Sequence, residues 1–369
     1  MSLFETRIQK VFSFMQQQAI EMVMITSPIN IYYFTGFYSY PAERFQALIF
    51  SAERQEVSLY LPNFDVEIAE QHSYIKSFVP ISDTDQPYQI LKKEQGQKMS
   101  SIGLEKGVVS LRHFELLSES YPEATFKDIE AFIISLRLRK TAEEIARVKK
   151  AIAVAEQALD YGVQKVEIGM SELDVAEHIE NQVKALGADR LMFAPFVQSG
   201  PNTAIPHAQA GTRKIQEGDF LLIDLFFAMD GYFADITRTF VIGEPSEKQV
   251  QIYQGVLDAN CQAIAAVHAG STFKQIDQAA RDHIASIGYG EYFHTRLGHG
   301  LGLEVHEPPS IHPLNEEIMS EGFLFTIEPG IYIPGFGGVR IEDDVYIGED
   351  GIAEVLTSYP KTLQKLCLR

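Results

Sequence analysis

Hydrophobic and polar positions divide the 369-residue chain into two kinds of pattern. In the first part, short apolar runs alternate with helical periodicity. An amphipathic start from Leu3 to Ile20 leads into Met22-Val23-Met24-Ile25, Ala47-Leu48-Ile49-Phe50 and Val57-Ser58-Leu59-Tyr60-Leu61. Later come Ser101-Ile102-Gly103-Leu104 and a helical stretch with Phe114, Leu116 and Leu117. Runs this short suit strands, so the alternation predicts an α/β domain over residues 1–125. The aromatic segment Tyr32-Tyr33-Phe34-Thr35-Gly36-Phe37-Tyr38-Ser39-Tyr40 is expected in the core of its sheet, with a contact surface as the alternative.

Residues 126–369 read as a second, α+β domain in which long helices precede strands. Thr141-Ala142-Glu143-Glu144 is a capping box, and Ile145, Val148, Ile152, Ala155 and Leu159 form one apolar stripe behind it. A further helix is expected from Ser171 to Gly187, with Val175, Ile179, Val183 and Leu186 facing inward. At an offset of 101 residues the same features recur: Gly169 falls on Gly270, Ser171 on Thr272, Val175 on Ile276, Val183 on Ile284 and Gly187 on Gly288. Both segments begin at a hydroxyl cap and stop at glycine. The repeat predicts two related halves, each with helices followed by a sheet portion.

Each half places carboxylates in apolar strands. Asp224 interrupts Phe220-Leu221-Leu222-Ile223-Asp224-Leu225-Phe226-Phe227-Ala228-Met229, and a lone buried carboxylate is costly. Asp235 follows in Tyr232-Phe233-Ala234-Asp235-Ile236-Thr237-Arg238, after the turn signal Asp230-Gly231. A two-residue turn pairs Met229 with Tyr232, Phe226 with Asp235 and Asp224 with Thr237. Both aspartates then share one face as diagonal neighbours, with Cα atoms about 7 to 8 Å apart, and Thr237 is placed to support a ligand. Either aspartate alone would read as a buried acid paired with Arg238 or capping a turn; the pair points to a cation.

In the second half, Glu328 follows the apolar run Phe323-Leu324-Phe325-Thr326-Ile327, and Glu342 follows Val339-Arg340-Ile341. Their midpoint, Gly335, lies in Pro334-Gly335-Phe336-Gly337-Gly338, so the glutamates are expected to face each other across a hairpin. Asp343 and Asp344 are expected in solvent. His299, flanked by Gly298 and Gly300, and His306 share one glycine-rich segment, while His207 falls in a loop. Two Asp, two Glu and one His form an oxygen-rich set suited to Mn²⁺, Fe²⁺, Co²⁺ or Zn²⁺. Five ligands are generous for one open catalytic ion. Two ions about 3.5 to 4 Å apart, generating a hydroxide near neutral pH, are the natural expectation.

Composition narrows the partners. With 31 basic against 50 acidic residues the formal charge is −19, which opposes nucleic acid and anionic membranes. Cys261 and Cys367 suggest neither a disulfide framework nor a zinc finger, and a reducing, cytoplasmic location fits. The opening Met1-Ser2-Leu3-Phe4-Glu5-Thr6-Arg7 lacks a signal peptide's apolar stretch and no run approaches a membrane span, so neither export nor anchoring is expected.

The ordered set of aspartates eleven apart with Asp-Ile-Thr-Arg-Thr, Gly-His-Gly-Leu-Gly-Leu-Glu-Val-His-Glu, Glu-Pro-Gly and Arg-Ile-Glu-Asp resembles the pita-bread metallopeptidases. With an N-terminal α/β domain containing Tyr33-Phe34-Thr35-Gly36-Phe37, the chain is most similar to bacterial prolidases, which are Xaa-Pro dipeptidases. The resemblance implies a pita-bread C-terminal domain with two pseudo-symmetric halves. It implies a dinuclear centre held by Asp224, Asp235, His299, Glu328 and Glu342, with Asp235 and Glu342 bridging. Mn²⁺ is the expected ion, with Co²⁺ or Zn²⁺ as alternatives. It further implies that His207 and His306 contact substrate and stabilise the tetrahedral intermediate, that Glu328 also shuttles a proton, and that the protein is a homodimer acting on small peptides. Arg296 or Arg340 is a candidate partner for a dipeptide's C-terminal carboxylate, although a salt bridge to a metal-site carboxylate is the preferred role for Arg340.

Two departures stand out. Relatives usually carry Gly-Ala where this chain has Phe226-Phe227, and Phe226 is expected on the metal face, where it would reshape the substrate pocket. Ser310 stands where some relatives have a basic residue. The competing expectations are aminopeptidase P-like action on longer peptides, a creatinase-like amidinohydrolase, and a binding protein of the same fold without catalysis.

Overall fold

The computed structural model describes residues 2–189 and 194–367, which form two compact units divided between Leu136 and Arg137. The first holds α1 (Leu3–Gln18), β1 (Met22–Ile25), α2 (Pro28–Thr35), β2 (Ala47–Ser51), β3 (Glu56–Pro62) and α3 (Val66–His72). It continues with β4 (Phe78–Ile81), α4 (Pro87–Gln95), β5 (Ser101–Leu104), α5 (Leu111–Ser120), β6 (Thr125–Asp128) and most of α6 (Glu130–Leu138). One six-stranded sheet runs β4-β3-β2-β1-β5-β6. The expected strands and helices are therefore present, but the boundary lies eleven residues beyond 125. Thr125-Phe126-Lys127-Asp128 is too polar to announce a strand, yet it pairs parallel with β5 and completes the sheet edge.

A second correction concerns the aromatic segment. Tyr32 to Thr35 belong to α2 rather than to the sheet, because Ser27 caps the helix, Pro28 opens it and Gly36 closes it at φ 72°. Tyr33, Phe34 and Phe37 are buried, whereas Tyr38 and Tyr40 are exposed.

The second unit begins with α7 (Ala142–Gln164) and α8 (Glu172–Ala185), followed by β7 (Phe196–Ser199), β8 (Phe220–Met229) and β9 (Tyr232–Ile242). Then come α9 (Glu247–Ala265), α10 (Phe273–Ser286), β10 (Gly298–Gly300), β11 (Glu307–Ile311), β12 (Leu324–Ile327) and β13 (Gly330–Ile333). The last strands are β14 (Gly337–Arg340), β15 (Asp343–Ile347), β16 (Ala353–Val355) and β17 (Lys365–Leu366). One sheet runs β17-β9-β8-β7 and a second β11-β10-β12-β15-β16, with β13 and β14 as a separate ribbon. Helix α7 packs on β8 and β9, and its expected stripe from Ile145 to Leu159 is buried. In the other half α9 and α10 pack on each other and bury Ile252, Val256, Ile276 and Ile284 against Phe325, Ile327 and Ile341. Each fully buried side chain of this size contributes about 1.5–3 kcal/mol.

The internal repeat is visible in the caps. Ser171 and Thr272 both complete capping boxes, and Gly187 and Gly288 follow their helices at φ 89° and 85°. Leu186 is half-buried rather than core. Among the described residues, no helix is long and apolar enough to cross a membrane.

Candidate metal centre

The first hairpin has the expected register. Met229 pairs with Tyr232, Phe226 with Asp235 and Asp224 with Thr237. Asp230 and Gly231 have φ 49° and 82°, the two positive values that a two-residue turn matching strand twist requires. Asp224 and Asp235 consequently share a face, and both are buried.

The second hairpin keeps one register but changes partners in its middle. Ile327 pairs with Asp343 and Gly330 with Arg340, so Glu328 and Glu342 occupy equivalent positions in the gap between the two ladders. There the backbone bonds elsewhere: Glu342 N–H donates to Thr237 O at 3.1 Å, and Glu328 N–H donates to Leu297 O at 2.8 Å. This interruption sets the two glutamates against β9 and the start of β10. Glycines let β10 lie that close, since a Cβ at Gly298 would stand 2.0 Å from Thr326 O and one at Gly300 2.2 Å from Pro308 O.

Those contacts bring the donors together. Ligand atoms of Asp235, His299 and Glu342 all lie within 4.8 Å of one another. His299 Nε2 stands 3.2 Å from Glu328 Oε1 and 3.8 Å from Asp235 Oδ2. Thr237 Oγ1 donates to Glu342 Oε2 at 2.6 Å, the supporting role expected of it. Thr326, two residues before Glu328, accepts from His299 N–H at 3.2 Å and donates to Glu328 Oε1 at 3.3 Å.

Electrostatics leave the cluster short of positive charge. Burial pushes Asp235 and Glu342 well above the ordinary carboxylate range, and repulsion from neighbouring carboxylates pushes them further. Asp224 is raised by burial despite Arg340, whereas at Glu328 burial is outweighed by His299 and Arg340 and the carboxyl lies below its usual range. Asp224 Oδ1 and Asp235 Oδ1 are buried without a hydrogen-bond partner among the described residues. Four carboxylates, orphaned oxygens and one imidazole fit hard or borderline divalent cations.

All ten residues expected at the site line one cavity of about 580 Å³, within the usual range for small-ligand pockets. His207 sits on an exposed turn, its ring 6.3 Å from Phe196. The His306 ring stands edge-on to His299 with centroids 4.1 Å apart. Partial desolvation, then the nearby charges of His299 and Arg296, hold its pKa down at about 4. Phe226 lines the cavity beside Asp224 and Asp235 and meets Phe196 edge-to-face at 5.4 Å, forming an aromatic wall.

The two arginines differ. Arg340 donates to Asp224 Oδ2 at 2.5 Å, Thr237 Oγ1 at 3.1 Å and Tyr332 Oη at 3.0 Å, so its donors serve the site itself. The preferred expectation for Arg340, a salt bridge to a site carboxylate rather than to a substrate, is the geometry present. Among the described residues Arg296 makes one long bond, from Nη1 to Ser310 Oγ at 3.4 Å, which leaves donors for a ligand.

Asp343 and Asp344 are not in solvent: both are fully buried. Asp343 accepts from Arg238, Lys361 and Thr357, and Asp344 accepts from Asp235 N–H at 3.2 Å. Arg238 therefore pairs with Asp343 and not with either hairpin aspartate. Thr326 had a legible signal, a polar residue inside an apolar strand in phase with Glu328. Tyr332 had none, because its hydrogen bond to Arg340 depends on the β13–β14 pairing.

Residues 146–349 match the model of metallopeptidase family M24, and residues 7–139 match the creatinase/prolidase N-terminal domain. The chain belongs to metallopeptidase family M24. An uncharacterized peptidase of Staphylococcus epidermidis is 37% identical, over 96% of this chain and 100% of its own length. A prolidase from Pyrococcus furiosus superposes with a TM-score of 0.86 at 39% identity, over 94% of this chain and 99% of that one. An X-Pro aminopeptidase from Thermotoga maritima superposes with a TM-score of 0.88 at 32% identity, over 97% and 99%. The M24 chain is a prolidase-like peptidase with a creatinase-type N-terminal domain followed in sequence by a pita-bread catalytic domain.

Proposed function

We propose that this M24 peptidase hydrolyses Xaa-Pro dipeptides with the help of two divalent ions, which Asp224, Asp235, His299, Glu328 and Glu342 would hold. Mn²⁺ is the first choice, with Co²⁺ or Zn²⁺ as alternatives. When bound, such ions supply a nucleophilic hydroxide near neutral pH and polarise the scissile carbonyl. A bond before proline has no N–H, and this chemistry does not require one. A homodimer and a cytoplasmic location accompany the proposal.

The observation that carries it is the convergence of the orphaned carboxylate oxygens, two histidines and Arg296 on one cavity. Glu328 takes a proton from the attacking water and returns it to the departing proline nitrogen. His306, neutral at pH 7, donates to the developing oxyanion together with His207. A donor of this kind contributes about 2.7–4 kcal/mol in comparable sites. Arg296 pairs with the C-terminal carboxylate of the dipeptide, and Phe226 with Phe196 bounds the apolar part of the substrate.

The test combines metal analysis with hydrolysis of Xaa-Pro, Xaa-Pro-Xaa and non-proline peptides, with and without Mn²⁺, Co²⁺ or Zn²⁺. Metal-dependent cleavage of dipeptides is expected. Cleavage of tripeptides alone would move the assignment to X-Pro aminopeptidase activity, and no turnover with two bound ions per chain would refute peptidase action on proline substrates.

A further inference from the structure

His207 poses a problem of placement. It lies on an exposed turn between β7 and β8, and surface turns are among the more mobile parts of a fold. A side chain meant to meet a reacting carbonyl needs a better-defined position than that, because misplacement by about 1 Å can cost roughly 100-fold in rate.

The segment is tied at its ends by Glu172, a fully buried carboxylate on the first turn of α8. Its Oε1 accepts from Ser199 N–H at 2.7 Å, Ser199 Oγ at 2.8 Å and Asn202 Nδ2 at 2.9 Å, and its Oε2 accepts from Gly211 N–H at 3.1 Å. These bonds close the loop at both ends but do not reach its middle.

The middle is held by Gln198. This β7 side chain is fully buried, and its Nε2 donates to Ala208 O at 2.8 Å and to Pro206 O at 3.4 Å, the carbonyls on either side of His207. Phe196 precedes it by two residues on the same strand, and its ring faces the His207 imidazole. Phe196 is also the cross-strand partner of Asp224, while Gln198 pairs with Leu222. One strand thus supplies a ring against His207 and an amide against its flanking backbone, in fixed register with a metal-ligand candidate. Gln198 Oε1 is buried without a hydrogen-bond partner among the described residues, so the amide is kept in the core at a cost and is engaged through its donor end.

We propose that Gln198 is a positioning residue for His207, fixing the imidazole relative to Asp224 by clamping the carbonyls of Pro206 and Ala208. This rests on the role given to His207 in the proposed function. The test is a double-mutant cycle on the metal-loaded enzyme with an Xaa-Pro dipeptide, using Gln198→Met, which keeps side-chain length and removes the donor. Gln198→Met is expected to lower kcat roughly 10- to 100-fold while KM, metal content and melting temperature stay close to wild type. In a His207→Ala background the same change is expected to alter kcat less than about twofold, since coupled residues are non-additive. Full multiplicative loss in that background, or a loss confined to KM, would overturn the positioning role and leave His207 intact. Wild-type turnover by His207→Ala alone would overturn both. If Gln198→Met does not fold, Gln198→Asn, which withdraws the amide by one methylene, replaces it in the cycle with the same outcomes.

Discussion

Removing the Arg340 guanidinium offers a quantitative probe of the centre. Arg340 is almost fully buried and pairs with Asp224 at 2.5 Å. Arg340→Met keeps the aliphatic stem and deletes the charge. Asp224 is then left buried beside Glu328 and Glu342 without its cation, and breaking one side of a buried pair costs about 3–5 kcal/mol. The carboxyl can escape only by taking up a proton. At pH 7.5, for an ordinary Asp pKa of about 3.9 and 1.36 kcal/mol per unit, that uptake costs roughly 4.9 kcal/mol; at pH 5.5 it costs roughly 2.2 kcal/mol.

The sign follows from linkage. Loss of Arg340 raises the folded-state pKa of Asp224, so the folded variant binds more protons than its unfolded chain and its deficit grows with pH. In metal-free protein the expected destabilisation is about 3–5 kcal/mol at pH 7.5 and no more than about 2 kcal/mol at pH 5.5. For a unit the size of Arg137–Arg369, at roughly 2–4 °C per kcal/mol, the melting transition should fall by about 6–20 °C at pH 7.5 and by less than about 9 °C at pH 5.5. Calorimetry in EDTA at both pH values measures it. A shift below about 3 °C at pH 7.5, or equal shifts at both, would refute the account of Asp224 as an acid dependent on Arg340.

Three further outcomes are expected. Asp235→Asn should reduce bound metal below two ions per chain and abolish metal-dependent hydrolysis; elemental analysis showing two ions with unchanged turnover would remove Asp235 from the centre. Phe226→Ala should open the aromatic wall and raise kcat/KM for Phe-Pro relative to Gly-Pro by roughly 10-fold, and an unchanged ratio in competition kinetics would show that Phe226 does not shape the pocket. Glu307 is buried at 2.5 Å from both Lys140 and Arg137, and although burial raises its carboxyl, the two cations outweigh burial and hold it below the usual range. Its stabilisation is therefore fully present above the ordinary Glu pKa of about 4.3 and lost as pH falls through the lowered folded-state value, so urea titrations should show the Glu307→Gln deficit largest near pH 7 and shrinking only as the pH drops below that ordinary value. A pH-independent deficit would count against the ion-pair explanation.

The sequence by itself determined what depends on near neighbours. The Asp224–Asp235 register followed from strand periodicity and the Asp230-Gly231 turn, and the helix starts at Thr141, Ser171 and Thr272 followed from hydroxyl caps. Even the equivalence of Glu328 and Glu342 was legible, because a hairpin about Gly335 relates them arithmetically. The same local signals misplaced Tyr32 to Thr35, where Ser27, Pro28 and Gly36 outweighed aromatic strand preference. Only the tertiary structure decided which charges are solvated and which are engaged. Asp343 looked like a solvated strand end until Arg238, 105 residues earlier, met it in the core. Arg340 favoured a site carboxylate over a substrate, but which carboxylate was settled only where Asp224, 116 residues earlier, takes its guanidinium. Burial cost and its compensation are set by whichever groups the fold places within a few ångströms, and a pattern read over ten residues does not contain that information.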